Sequence, residues 1–377
     1  MIRSMKIGLV LPYNIFLGGG VKEYVMALQA EMIRRGHQAL VITPQPRGHK
    51  DDAPEGVIFL GGSTNFKSPF ATTAQLSVTV NTDRVDEVLA EEQFDILHFH
   101  EPWVPIIGRQ ILTRSSSVNV ATFHAKLPDT ILSRTIERVV TPYTRSITKY
   151  LDVLTAVSEP AATYIQQLTD KPLVLIPNGI DLEKYAPPKK RPINEHPTIL
   201  YVGRLEKRKG VKYLILAFSQ LVAEMPDARL LIGGDGSDRD DLEQLVQDYE
   251  IPNIEFLGYL EEDEKIKLLQ TCDVFCAPSL YGESFGIVLL ESISCGIPTV
   301  AGDNPGYSYV LQDRGAIGLV DPKNTDDFCR TLKLMLTDET LRAAWREWAA
   351  EYKQQFDYTR IGEHYERVYQ EALKAKH

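Results

Sequence analysis

Residues 198–223, TILYVGRLEKRKGVKYLILAFSQLVA, decide the fold. The first five residues are a short apolar run of strand type, Gly203 to Gly210 form a polar turn with four cations, and the rest is helical. Strand, tight turn and helix in succession are the unit of a parallel α/β sheet. The same unit opens the chain: an apolar run at 6–11, then Gly18-Gly19-Gly20, then a helix expected over 21–35. In that helix Val21, Tyr24, Val25, Leu28 and Met32 recur at helical spacing, and Gly36 supplies the stop.

Between these two units, strands are expected at 39–43, 95–99, 118–123, 153–157 and 173–176. Helices are expected at 83–92 and over 129–150, the latter divided by Pro142. Residues 44–80, rich in Pro, Gly, Ser and Thr, read as short strands and loops. The run Ile176-Pro177-Asn178-Gly179-Ile180-Asp181 reads as a hinge. Beyond 198–223, further strands are expected at 228–232, 254–257, 273–277, 298–301 and 316–320, and helix from 325 to 374. The expected class is α/β with two doubly wound halves.

Composition narrows the function. The 377 residues suffice for two cores, and 44% hydrophobic with 24% charged is ordinary for a globular protein. No apolar run approaches the roughly 18 residues of a membrane span. The first residues lead into a strand-like run without a signal-peptide pattern, so a cytoplasmic location is expected. Residues 1–175 hold 17 Lys/Arg and 17 Asp/Glu, so the other 24 basic and 34 acidic groups carry the whole net charge of −10. An acidic total argues against a nucleic-acid surface while leaving room for one local phosphate site. Cys272, Cys276, Cys295 and Cys329 contain no CxxC pair and read as small buried thiols, with metal or disulfide roles as the alternative.

Four segments carry candidate chemistry. Gly18-Gly19-Gly20 after the first strand is either a cradle of backbone N–H groups for an anion or a tight turn chosen for packing. It is not the GxGxxG dinucleotide fingerprint. In Gly203-Arg204-Leu205-Glu206-Lys207-Arg208-Lys209-Gly210, Arg204 and Lys209 fit a diphosphate beside a helix N-terminus, against the alternative of a solvated basic turn. In Gly282-Glu283-Ser284-Phe285-Gly286-Ile287-Val288-Leu289-Leu290-Glu291, a helix expected to start near Phe285 puts Glu283 at its end and Glu291 about two turns inward. Two such carboxylates can hold two parts of one hydroxylated ligand; alternatively Glu283 serves the helix dipole and Glu291 is a surface residue. Gly233-Gly234-Asp235-Gly236 is a plain turn or the wall of a phosphate pocket.

In the first half, Leu97-His98-Phe99-His100-Glu101-Pro102 and Ala121-Thr122-Phe123-His124 end strands with histidine, where open α/β sheets bind ligands. His124 is a candidate site residue or a packing one. A zinc pair of His98 and His100 lacks further ligands at familiar spacing.

Together GGG, HFHEP, ATFH, IPNGID, GRLEKRKG and GESFGIVLLE resemble the retaining family-4 glycosyltransferases of the GT-B fold, from about residue 5 to residue 369. Within that family the chain is nearest to the bacterial phosphatidyl-myo-inositol mannosyltransferases. The resemblance implies two Rossmann-like domains with parallel sheets facing across a cleft: an acceptor-side domain at 1–176, a nucleotide-sugar domain at 177–357, and a C-terminal helix, 358–377, packing back on the first. It implies that Gly19 and Gly20 approach the donor diphosphate and that Arg204 and Lys209 hold it, beside Gly203 and Gly234. It gives Glu283, with Ser284 and the amides of Phe285, Gly286 and Ile287, to the donor sugar, Glu291 to the ribose, and His124 to the transferred sugar. The implied partners are a GDP-sugar or UDP-sugar donor and a lipid or glycan acceptor, with no cofactor and no metal. Base contacts would be backbone-mediated near 258–260.

Two departures bear on the acceptor. The helix before HFHEP contains Asp83, Asp86, Glu87, Glu91 and Glu92 with only Arg84 opposing, where the lipid-modifying relatives are basic. The GR-x4-K element is also one residue shorter than in those relatives and fits the wider family. Arg134, Arg138, Arg145 and Lys149, opposed by Asp129 and Glu137, are either a peripheral membrane patch at the inner face or a solvated helix face. The implied reaction is same-face transfer of a hexose, mannose favoured, without a covalent nucleophile, closure about the hinge excluding water. The rivals are a non-catalytic nucleotide-sugar sensor and a GT-B nucleotide-sugar epimerase.

Overall fold

The computed structural model describes residues 3–16, 19–46, 53–67, 73–79, 81–104, 107–125, 131–191 and 194–376. Residues 1–179 and 358–377 form one compact unit and residues 180–357 a second.

The first unit is built on eight strands: β1 Lys6–Val10, β2 Gln38–Gln45, β3 Val57–Lys67, β4 Thr73–Thr79, β5 Ile96–His100, β6 Val118–Phe123, β7 Val153–Ala156 and β8 Leu173–Leu175. Their order is β4-β3-β2-β1-β5-β6-β7-β8, and every pair is parallel except the antiparallel β3–β4. The order reverses beside β1, so the carboxyl ends of β1 and β5 flank a switch point, where ligands bind in such sheets. The helix Gly20–Arg34 buries Tyr24, Val25, Leu28 and Met32 against Ile7, Leu9, Val41 and Ile96. The helix Tyr358–Lys376 adds Ile361, Tyr365 and Tyr369, all 0% exposed, to the same core. Each such side chain contributes about 1.5–3 kcal/mol of apolar burial.

The second unit has six parallel strands, β9 Thr198–Val202, β10 Arg229–Gly233, β11 Ile254–Gly258, β12 Val274–Ala277, β13 Thr299–Gly302 and β14 Leu319–Val320, in the order β11-β10-β9-β12-β13-β14. Its order reverses beside β9, so the turn after β9 sits at this sheet's switch point. The helix Val211–Glu224 presents Val211, Leu214, Ile215, Phe218, Leu221 and Val222 to the sheet as one apolar stripe. Ile180 N donates to Phe356 O at 2.8 Å, so the two crossings of the chain lie side by side on this unit.

Several expectations need correction. Pro142 does not divide its helix, which runs Ile131–Thr148. Buried Thr144 and Ile147, with Tyr164 Oη donating to Thr144 at 3.3 Å, hold the turns beyond the proline in place. Residues 44–80 contain two long paired strands, because Thr and Val support a ladder as readily as a loop. Residues 313–318 are a 3-10 turn, and only Leu319–Val320 extends. There Gly315 and Gly318 approach Trp348 and the Thr299 carbonyl too closely for a side chain. The long final helix is three, Thr325–Thr337, Glu339–Tyr352 and Tyr358–Lys376, the second started by an Asp338 side-chain cap on Leu341 N at 2.9 Å. The short helix Ile107–Leu112 had no counterpart in the sequence reading.

Candidate functional site

In the second unit the loops after β9, β10 and β12 are laced together by their backbones. Leu205 N donates to Asp235 O at 2.9 Å, Asp238 N to Leu205 O at 3.0 Å, and Leu280 N to Arg208 O at 2.8 Å. The basic turn ends in a 3-10 turn, Lys207–Lys209, and Gly210 at φ 69°. A side chain at Gly210 would meet the Pro278 carbonyl at 2.1 Å, so glycine is what lets the basic turn close on the loop after β12.

That closure brings the charges together. Lys209 Nζ lies 2.7 Å from Glu283 Oε1, and Arg208 Nη1 lies 3.0 Å from the same oxygen. Burial favours a protonated Glu283, but Lys209 and Arg208 outweigh it and hold the carboxylate below its ordinary range. Burial lowers the Lys209 ammonium against the pull of Glu283, and lowers Arg204 likewise. Arg204, the more exposed cation, pairs with Glu206 at 2.9 Å. Of the sequence-predicted residues, Lys209 and Glu283 therefore meet directly, while Arg208 was passed over. Its signal was adjacency to Lys209 in a tight turn, which the two ends of the GR-x4-K spacing obscured.

In the 283–291 stretch the helix runs Ile287–Ser294 and starts after Gly286 at φ 108°, so Glu283 and Ser284 lie in the preceding loop and Glu291 is about one turn inside. Phe285 points into the core, its ring 5.9 Å from Tyr309 and 6.1 Å from Phe356. The amides of Ile287 and Val288 belong to the first turn, which has no intrahelical acceptor. Glu291 is not a surface residue: it is 7% exposed and accepts from Lys265 Nζ at 2.7 Å and Tyr185 Oη at 3.2 Å. Burial raises its pKa, and Lys265 and Tyr185 oppose the shift. Tyr185 and Lys265 lie 106 and 26 residues from Glu291, and no spacing rule could have joined them. Gly234, at φ 124°, packs on the Gly203 carbonyl, which a side chain would strike at 1.9 Å.

In the first unit Gly18 lies outside the described residues. Gly19 caps the helix Gly20–Arg34 in an extended conformation, both glycines are exposed, and a side chain at Gly19 would meet nothing within 4 Å. The protein's own packing thus does not call for glycine at 19. The histidines cluster at the carboxyl ends of β5 and β6. His98 and His100 share a face with ring centroids 4.2 Å apart. His98 bonds Tyr369 Oη at 2.7 Å and Thr122 Oγ1 at 2.6 Å; His100 Nδ1 bonds His124 Nε2 at 3.0 Å. Burial lowers all three, His124 to about 3, the last opposed by a bond with Asn178. They are neutral imidazoles, acting through hydrogen bonds and not as cations. Glu101, at φ 52°, accepts from His124 N at 2.9 Å and from Trp103 Nε1, and burial raises it to about 8. Among the described residues no three His, Cys, Asp or Glu side chains are placed to hold a metal ion.

The acidic helix is Thr82–Glu92, with Arg84 paired to Glu87 at 3.1 Å. Of the basic positions weighed as a membrane patch, Arg145 and Lys149 are exposed, while Asp129 and the side chains of Arg134, Glu137 and Arg138 lie outside the described residues. No described helix is long and apolar enough to cross a membrane. The four cysteines are buried and free.

Two family models match the chain, Glycosyltransferase Family 4 over residues 18–184 and Glycosyl transferases group 1 over residues 184–352. A phosphatidyl-myo-inositol mannosyltransferase of Mycolicibacterium smegmatis is 34% identical over 375 residues, covering 97% of this chain and 94% of that protein. Among solved structures, sucrose-phosphate synthase of Thermosynechococcus elongatus superposes with a TM-score of 0.80 at 19% identity, covering 98% of this chain and 100% of that one. Anabaena HepE in complex with UDP and glucose gives 0.73 at 19% identity, covering 97% and 99%. At these identities the structural likenesses concern the fold alone.

Proposed function

The chain belongs to the family-4 glycosyltransferases of the GT-B fold, and on that premise we propose that it transfers mannose from a nucleotide diphosphate donor, GDP-mannose, to a lipid acceptor with retention of anomeric configuration. The observation that carries the reading is the similarity to a phosphatidyl-myo-inositol mannosyltransferase through both units, over 97% of the chain. The second unit holds the donor. Arg204, Arg208 and Lys209, with the first-turn amides of Ile287 and Val288, take up the negative charge that grows on the departing diphosphate, so that no metal ion is called upon. Glu283, ionised and fixed by two cations, accepts from the donor sugar's hydroxyls; Glu291 accepts from the ribose.

The first unit supplies Gly19 and Gly20 for close approach to the diphosphate and His124 for the transferred sugar. As neutral imidazoles His100 and His124 can share one proton donor between them, and His124 orients a sugar hydroxyl without adding positive charge beside an oxocarbenium-like centre. A lipid acceptor implies peripheral contact with a membrane surface at the cytoplasmic face.

The test is nucleotide diphosphate release from a panel of GDP- and UDP-sugars, with and without vesicles containing phosphatidylinositol. GDP release from GDP-mannose that rises with vesicles supports the reading. Release from a UDP-sugar alone overturns the donor, release indifferent to every lipid overturns the acceptor, and no release from any donor overturns transfer itself. The one-bond C1–H1 coupling of the product tests retention: a β-mannoside from the α-linked donor refutes it.

A further inference from the structure

Glu291 is the carboxylate assigned above to the donor ribose, and its surroundings point to two further residues. It projects from the helix Ile287–Ser294 with its side chain about one-tenth exposed. Two donors from other elements converge on one of its oxygens. Lys265, from the helix Glu262–Thr271, places Nζ 2.7 Å from Oε1, and Tyr185, just after the chain enters this unit, places its hydroxyl 3.2 Å from the same atom. Among the described residues none donates to Oε2.

The two donors are themselves fixed. Tyr185 is 4% exposed, and its hydroxyl is shared with Glu262 Oε1 at 3.2 Å. Glu262 is pinned in turn by Lys184 at 2.6 Å. The Lys265 ammonium lies 5.4 Å from the centre of the Tyr185 ring. Two segments distant in sequence thus act on one carboxylate oxygen and, among the described residues, leave the other free.

We propose that Lys265 and Tyr185 are ribose-positioning residues, which occupy Oε1 of Glu291 and so present Oε2 as the acceptor for a hydroxyl of the donor nucleoside. The inference rests on the reading of Glu291 as the ribose ligand. Its physical basis is that a carboxylate is free to turn about its last bond, and an unpaired buried carboxylate takes up a proton. A protonated carboxyl has one oxygen that donates, so half of its orientations meet a ribose hydroxyl less well. A cation and a phenol on one oxygen remove both freedoms. Lys265 acts in this way through Glu291 and not as a phosphate ligand, since it belongs to a helix apart from the basic turn.

Calorimetric titration of the full chain tests this with GDP and UDP, each beside its 2′-deoxy and 3′-deoxy forms. The parent should bind the ribonucleotide about 10- to 100-fold more tightly than one of the deoxy forms. Lys265→Met should weaken the ribonucleotide by about 10- to 30-fold and leave that deoxy form within about twofold, so that the discrimination collapses. Tyr185→Phe keeps the buried ring, removes only the hydroxyl, and should shift the same ratio by a smaller factor; it serves if Lys265→Met does not fold. Equal weakening of both nucleotides by the variants overturns the proposal, as does an unchanged ratio. A parent that binds ribo and deoxy forms alike overturns the ribose reading of Glu291 itself, a failure visible before any variant is made.

Discussion

Replacing Lys209 by methionine removes one charge and keeps the length of the side chain. In the parent, Nζ is 2.7 Å from Glu283 Oε1 and Arg208 Nη1 is 3.0 Å from the same oxygen. At an effective dielectric of ~20, two unit charges at that distance attract by about 6 kcal/mol, most of it offset by dehydration. Arg208 remains at nearly the same distance in the variant, so Glu283 keeps a cation and stays ionised. The fold therefore loses about 1–3 kcal/mol, the cost of one missing buried partner, and not the roughly 3–5 kcal/mol of a stranded charge. Catalysis loses more, because the charge on the leaving diphosphate grows in the transition state. One missing positioned donor there costs about 2.7–4 kcal/mol, a 10²- to 10³-fold fall in kcat. The assay is the initial rate of nucleotide diphosphate release at saturating donor and acceptor, with a thermal melt on the same preparation. A variant that melts cooperatively and turns over within about threefold of the parent refutes the assignment of Lys209 to the diphosphate. Lys209→Arg restores charge in a planar fork of different reach and should recover only part of the rate.

Gly19→Ala should lower the melting temperature by no more than about 2–4 °C, since the new methyl meets nothing within 4 Å and a helix-cap Gly-to-Ala change costs only about 1 kcal/mol; turnover should fall at least about tenfold, and a variant with normal kinetics removes Gly19 from the donor site. Tyr369→Phe strips the bond to His98 Nδ1 at 2.7 Å and leaves a buried nitrogen unpaired, which should cost about 1–3 kcal/mol in denaturant unfolding; a loss below about 0.5 kcal/mol would mean that the helix Tyr358–Lys376 is held by its apolar face alone. Stability should also depend on pH in a set direction. His98, His100 and His124 are lowered by burial, so below about pH 6.5 the unfolded chain binds protons that the native state does not, and stability falls as the medium is acidified. Glu101, raised to about 8 by burial, acts oppositely: its contribution is complete below its unfolded value and is lost as pH rises through 8. Three groups against one leave a net loss of stability on going from pH 6.5 to 4.5; a melting temperature of the first unit that is flat from pH 7 to 5 contradicts the buried neutral histidines.

Most strands of both sheets, though not β3 and β4, were legible because their apolar runs are short and bounded by glycine or polar turns, as at Gly203 and Gly233. The points of failure share a cause. Pro142 breaks a local rule, yet buried Thr144 and Ile147 override it. Asp338 looks like one more polar residue in a long helical stretch until its cap on Leu341 N shows it to be a boundary. At the site, Arg204, Lys209, Glu283 and Glu291 stood out because motif spacing picks them out from a linear text. Arg208, Lys265 and Tyr185 did not, because what marks them is convergence on a carboxylate from another loop or helix, and that is a property of the folded chain. Glu291 shows the limit well: the alternative of a surface position fails, because its lysine and tyrosine partners make burial tolerable.

The first unit takes its last layer from residues that follow the whole second unit in sequence, and this inverts the order in which the two can be completed during synthesis. Residues 180–357 leave the ribosome as an uninterrupted stretch and can close their sheet at once, whereas residues 1–179 wait with His98 and Tyr24 lacking the phenols of Tyr369 and Tyr365. Domains fold as units as they emerge, so here the later-translated unit matures first. The earlier one stays open at a polar, histidine-lined seam until residues 358–376 have been translated. A nascent chain stalled before Tyr358 would thus carry a finished second unit and an unfinished first one, open to proteases and chaperones.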